Sequence, residues 1–312
     1  MQKILFPFGL IILAGVALRR IRPVGFDPDL VRQAVNACVL NLFLPALCIK
    51  TLYQSELDLE TFLVPAAAAV TTMVALGIAA LVYAMMGKRM HIDGREKGVL
   101  LLAAAFGNVT YLGLPVLTGL YGSGAAKYAL FYDLLATTPL LWLVGASLAA
   151  RYGEGRKLDL KESLRTIVSL PPVWGICAGM LLHQSGAHLP GVVLMTLEML
   201  GGLVVPLMIF SIGLALTLPK VAHAYAVGPA VVIKLVLGPA VAYFTARLLG
   251  LDGIALDACG IEGGMPTMVL SLLVAARFRL DVPLAAFVIV VTTVLSFFTL
   301  PLVIALIGAA PK

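Results

Sequence analysis

The chain has 312 residues, of which 61% are hydrophobic and 12% charged, with a formal net charge of +6 and a mean hydropathy of +1.04. Soluble domains carry about 25% charged residues, so the composition excludes an ordinary soluble domain and points to an all-α membrane protein with the lipid bilayer as its partner. The cysteines (Cys38, Cys48, Cys177, Cys259) lie in apolar runs without a CxxC pair, and the histidines (His91, His183, His188, His223) lie in connections or at the end of a run. That pattern argues against a disulfide framework, a zinc site or a nucleophile–base pair, and no cofactor is expected.

Ten apolar segments follow one another, at about 4–20, 31–51, 62–87, 99–120, 125–150, 170–186, 192–217, 224–248, 254–276 and 284–309. Most approach the ~20 residues that a bilayer-spanning helix needs. Only Lys3 precedes the first run and Arg19, Arg20 and Arg22 follow it, the reverse of a cleaved signal peptide. Arg32, Lys88, Arg89, Arg95, Lys97, Arg151, Arg156, Lys157, Lys161, Arg165, Lys220, Arg277 and Arg279 fall on the same side of an alternating path as those three arginines. Lys3, Lys50, Lys127, Arg247 and Lys312 fall on the other, with the acidic connection Glu56, Asp58 and Glu60. The positive-inside rule then predicts a multi-pass protein of the inner (plasma) membrane with both termini on the outer side and no nucleic-acid partner. The connection 152–169 reads as a solvated cytoplasmic linker rather than a surface helix.

Landmarks recur in the same order in residues 1–151 and 170–312. Pro7 precedes Ala14-Gly15 as Pro171 precedes Ala178-Gly179, Pro45 matches Pro206, and Gly113-Leu114-Pro115 matches Gly264-Met265-Pro266. Five spans per repeat is an odd number, so the second repeat enters the membrane from the opposite face, an inverted repeat of the kind secondary transporters use.

The fourth and ninth segments carry "FGNVTYLGLP" (Phe106–Pro115) and "GIEGGMP" (Gly260–Pro266), which place polar residues, glycines and a proline where a spanning helix wants leucine. Irregular backbone at membrane depth survives only against protein or water. The expectation is an unwound stretch over 107–114 with a half-helix from Pro115, and another over 260–265 with a half-helix from Pro266. Crossing these breaks would gather free N–H groups for an anion and free carbonyls for a cation. Asn108, Thr110, Tyr111, Gly113, Pro115, Gly263, Gly264, Pro266 and Thr267 are the candidate substrate-site residues. Among charged residues within spans, Glu262 is the candidate for binding a coupling proton or cation, with Asp133 and Lys234 beside it. Thr137 would share a helical face with Asp133 one turn on; Lys234 could pair with Glu262, Asp133 or Glu198; and Glu198 has a structural or water-facing role. Thr292, Ser296 and Thr299 form one stripe on the last span, of the kind that ties helices together.

"FGNVTYLGLP", "NLFLPAL", "VVPLMIFSIGLAL" and "KLVLGPA" together resemble the auxin efflux carrier family over essentially the whole chain. The resemblance implies ten transmembrane helices as two inverted five-helix repeats, with broken fourth and ninth helices crossing in a transport domain that moves past a scaffold in elevator fashion. It implies a small organic anion, of carboxylate or dicarboxylate type, as cargo. Asn108 and the breaks at Pro115 and Pro266 carry over as substrate-site elements, and Asn41 in "NLFLPAL" joins the candidates. Protons or sodium would be the coupling ion, and a homodimer is a further expectation. The long cytoplasmic loop of the plant carriers is missing, so the auxin substrate is not inherited. The rival transport reading is a sodium/proton-type antiporter with Glu262 and Asp133 as ion ligands. An enzyme is not expected: Tyr132-Asp133 lacks a Gly-x-Gly-Asp partner, and Gly122-Ser123-Gly124 is not the Gly-x-Ser-Gly of a serine type.

Overall fold

The computed structural model describes residues 2–55, 58–86, 89, 91–156, 159–215 and 224–308, with side chains from Pro7 onward. Glu56, Lys88, Lys157, Lys220, His223 and Lys312, used above to place charges and connections, lie outside the described residues, as does the side chain of Lys3. The elements are all helical: α1 (Gln2–Ile21), α2 (Pro28–Gln54), α3 (Glu60–Met86), α4 (Gly94–Ala105), α5 (Val109–Tyr121), α6 (Ser123–Gly153) and α7 (Leu160–Val168). There follow α8 (Pro171–Gln184), α9 (Gly191–Ala215), α10 (Ala224–Leu248), α11 (Gly253–Gly263), α12 (Leu270–Arg277) and α13 (Val282–Leu306). Among the described residues, α2, α3, α6, α9, α10 and α13 are each long and apolar enough to cross a membrane, and α7 with α8, bent by 62°, forms a seventh candidate.

Local chemistry sets the starts. Asp27 caps α2 by accepting from the backbone N–H groups of Asp29 and Leu30 at 2.9 and 3.2 Å, with Pro28 in the first turn. Asp93 and Glu96 form a reciprocal capping box at α4. The segment expected to be a solvated linker contains α7 instead, because Asp159 caps it and its Glu162 side chain pairs with Arg277 at 2.8 Å. Gly122, at φ +84°, turns the chain directly from α5 into α6.

Four prolines shape the spans without ending them. Pro45, Pro115, Pro139 and Pro239 each stand two residues after a five-residue wide turn, at Val39–Phe43, Val109–Gly113, Asp133–Thr137 and Ile233–Leu237. A proline ring clashes with the carbonyl four residues back and supplies no N–H. Here the residue before each proline donates five residues back instead, as Leu114 does to Val109 and Gly238 to Ile233. The widened turn moves the obstructed carbonyl aside and keeps the helix continuous.

The helices pack as two groups. One consists of α1, α2, α8 and α9; the other gathers α3–α6 and α10–α13. In the first group Gly175 and Gly179 of α8, four residues apart, let the backbones of α8 and α2 touch. A Cβ at Gly175 would stand 2.8 Å from the Pro45 carbonyl oxygen, and one at Gly179 would stand 2.9 Å from that of Ile49. Small residues at this spacing are how membrane helices approach closely. Leucine at either position is expected to lower stability by about 1–3 kcal/mol through overpacking, seen as an earlier thermal aggregation onset in detergent. Unchanged onset in both variants would contradict the close α2–α8 contact.

Candidate functional site: the helix crossing

Two buried apolar clusters divide the molecule. One includes Leu44, Val109, Leu117, Phe131, Met208, Cys259, Met265 and Ile304; the other includes Ala79, Leu101, Phe106, Trp142, Ile233, Met268 and Val288. From α4 to α5, from α11 to α12, and along α6 and α10, the chain passes from one cluster to the other at its polar residues, whereas the buried residues of α2 stay within the first cluster. Phe106 and Val109 flank Gly107-Asn108, and Met265 and Met268 flank Pro266-Thr267. The buried polar groups Asn108, Thr110, Asp133, Lys234, Glu262, Thr267 and Thr292 therefore occupy a layer between two apolar halves.

At the centre the two breaks pair with each other. Gly107 and Thr267 form an isolated antiparallel bridge: the Asn108 N–H donates to the Pro266 carbonyl at 2.6 Å, and the Met268 N–H donates to the Phe106 carbonyl at 2.9 Å. The breaks lie elsewhere than the sequence suggested. The first is only Phe106–Asn108, since Val109–Gly113 is a widened helical turn and Pro115 sits inside α5. The second begins at Gly264 and runs to Val269, so Gly260–Gly263 is still helix, Pro266 lies within the break, and Glu262 belongs to the last turn of α11. The physical reason is the wide turn before Pro115, which absorbs the proline without unwinding, whereas Pro266 has no such turn before it.

Several of the backbone groups expected to await a ligand are already used. Besides the bridge, the Gly263 carbonyl accepts from Lys234 Nζ at 2.8 Å, and the Thr267 N–H donates to Thr292 Oγ1 at 3.1 Å. Thr267 Oγ1 donates to the Ala103 carbonyl at 2.9 Å, so Thr267 clips the second break onto α4. Lys234 pairs with none of the three carboxylates considered for it. It rests on the carbonyl end of α11, against the open side of Gly107, where a Cβ would stand 3.2 Å from Nζ. Glu198 pairs with Lys50 at 2.8 Å, away from the crossing.

Asp133 accepts from the hydroxyls of Thr110 and Thr138, the latter at 2.8 Å. Thr137 instead donates to the Tyr132 carbonyl at 3.0 Å. The partner is five residues on rather than four because Asp133 opens a widened turn. The Glu262 carboxyl fills the space that Gly113 leaves for want of a side chain, and both its oxygens are buried without a hydrogen-bond partner. Gly264 caps α11 through its N–H to the Ile261 carbonyl at 3.1 Å. Asn41 stands apart: it is exposed, and its amide donates to the Ala37 carbonyl of its own helix at 2.8 Å.

Asn108, Thr110, Tyr111 and Asp133 come together on a cavity of about 80 Å³, otherwise lined mainly by apolar side chains such as Leu40, Leu44 and Met268. Trp142 and Thr138 line it too, and neither was singled out in the sequence. Trp142 carried a usable signal, since a tryptophan well inside a span is out of place relative to the interfacial belts where that residue concentrates. Because Asp133 depends on two hydroxyl donors in a buried site, Thr110→Val and Thr138→Val should each destabilise the fold by about 1–3 kcal/mol. Thermal unfolding in detergent checks this, and a loss confined to Thr137→Val would refute the five-residue pairing.

Comparison with known proteins bears on what such a crossing serves. An uncharacterized transporter of Methanothermobacter thermautotrophicus is 29% identical over 297 residues, 94% of this chain and 93% of that protein. An uncharacterized transporter of Methanocaldococcus jannaschii is 30% identical over 229 residues, 72% of each chain. The sequence profile described as membrane transport protein matches residues 9–304. A crossing of broken apolar helices, spanning-length neighbours and that near-complete match lead to one conclusion: the chain belongs to the membrane transport protein family, the auxin efflux carrier family that its motifs resemble.

Proposed function

We propose that the protein is a secondary transporter of a small organic anion, with Asn108 presenting the polar contact to the cargo. The observation that carries this reading is that Asn108 Nδ2 is buried at the crossing without a hydrogen-bond partner, beside a cavity, while the Asn108, Thr267 and Met268 N–H groups beside it pair within the protein. An unpaired buried donor costs about 1–3 kcal/mol, which an acceptor on a ligand would return. The reading takes α4 with α5, and α11 with α12, as single broken spans. Ten spans in two inverted repeats then follow, with both termini outside a cell inner membrane. The group α1, α2, α8 and α9 serves as scaffold, and the group holding the crossing moves past it in elevator fashion.

Coupling is assigned to a proton on Glu262. Lys234 occupies the carbonyl end of α11 where a sodium ion would otherwise gain its ligands, and both oxygens of Asp133 are taken by hydroxyls. These two facts favour anion transport over the sodium/proton antiporter. Glu262 is left as the ionisable group at the crossing with nothing bonded to it.

Uptake of radiolabelled carboxylates into proteoliposomes tests the reading. Asn108→Ala should lower uptake about tenfold or more, with insertion intact. Sodium-driven proton flux without any organic solute would overturn it in favour of the antiporter. Glu262→Gln should remove the response of flux to a pH gradient; if that response survives unchanged, Glu262 has no coupling role.

A further inference from the structure

A second cavity, of about 100 Å³, lies on the side of the crossing that carries Arg19 and Arg32, and Asn108 lines it as well as the first. Arg32 and Asp29 project into it with Ile289, Val290 and Thr293. Asp29 is already gripped by Arg19, whose Nη1 and Nη2 donate to its two oxygens at 3.0 and 3.3 Å, while Nη1 also reaches the Leu214 carbonyl at 2.6 Å. Arg32 Nε stands 3.9 Å from Asp29, a loose ion pair beyond hydrogen-bond distance, and is buried with no hydrogen-bond partner. In this trio of two cations and one anion, the surplus positive charge rests on Arg32.

The pattern extends across the crossing. Among the described residues, three side-chain N–H groups, besides the hydroxyls of Thr61 and Thr299, are buried without a hydrogen-bond partner: Arg32 Nε, Asn108 Nδ2 and Trp142 Nε1. All three line the two cavities that share Asn108. Buried donors are nearly always paired, so three orphans along one path indicate acceptors supplied from outside. Only Arg32 of the three carries a charge, and a planar guanidinium suits a carboxylate in particular.

We propose that Arg32, Asn108 and Trp142 form one carboxylate-binding track through the crossing, with Arg32 neutralising the carboxylate and Asn108 and Trp142 each donating a hydrogen bond. The proposal rests on the reading of Asn108 as a cargo contact. It adds two residues, one on each side, that select a carboxylate over its uncharged amide.

The full chain in nanodiscs, screened by thermal shift against sodium acetate, benzoate and succinate with acetamide and benzamide as neutral counterparts, provides the test. Sodium chloride is held at matched ionic strength. At least one carboxylate should raise the apparent Tm where its amide does not, because a ligand of the folded state stabilises it by mass action. Arg32→Gln and Trp142→Phe should each weaken that binding about tenfold or more, Arg32→Lys should retain part of it, and the exposed Arg20→Gln should leave it unchanged. Should Arg32→Gln not fold, Arg32→Lys and Trp142→Phe carry the test. Wild-type affinity in both the Arg32 and Trp142 variants, with binding lost in Asn108→Ala, would overturn the track and leave the transporter reading standing. No shift with any carboxylate would overturn both.

Discussion

The structure turns on two hydrogen bonds between backbone segments that could find no water at that depth. A broken helix in an apolar interior releases N–H and C=O groups at a cost of several kcal/mol each. Here the break of one span is the hydrogen-bonding partner of the other, through Asn108 to Pro266 and Met268 to Phe106. Neither break is tenable alone, so the crossing is a mutual requirement of the two spans. Lys234 and Thr292 satisfy further backbone groups around it. The helix ends thus become a fixed frame, and chemistry is left to the few side chains the frame does not consume.

That frame sits between two apolar clusters rather than inside one, and this location governs what the polar residues can do. Each cluster is apolar on its own side, and two cavities lined by Asn108 meet the layer between them. Glycine is essential at Gly113, and Gly107 leaves a tight fit for a flexible side chain. Gly113 makes room for the Glu262 carboxyl, and Gly107 makes room for the Lys234 side chain. Both positions bring an ionisable group from the C-terminal part of the chain against backbone from the N-terminal part, which couples the two parts sterically as well as through hydrogen bonds.

Much of this was legible in the residues. "FGNVTYLGLP" and "GIEGGMP" marked the two breaks because Gly, Asn and Pro together disfavour an uninterrupted helix in an apolar run. The boundaries were not legible, since a proline can be met by unwinding or by a wide turn, and the choice depends on the carbonyls that neighbouring helices leave free. The same ambiguity displaced Glu262 from a break into a helix, and it put Thr138 rather than Thr137, the residue expected on the same face, against Asp133. Arg32 was grouped with the charges of the first connection, because sequence shows its distance from a span end and not the cavity beside it. The partners of Lys234 and Glu198 were beyond reach for a plainer reason: each lies on a helix far away in the chain.

The widened turns before Pro45, Pro115, Pro139 and Pro239 have a consequence for how each span is addressed to its surroundings. One extra residue in a turn rotates everything downstream by about 100° relative to an uninterrupted α-helix, since 3.6 residues make a full circle. A span with such a turn presents one face to its neighbours before the proline and a different face after it. In α6 that phase shift lets the stretch before Asp133 and the stretch after Thr138 belong to different apolar clusters while the backbone stays hydrogen-bonded throughout. The prolines thus act as phase setters, and a periodicity averaged over the whole span would cancel the two faces that the protein uses separately.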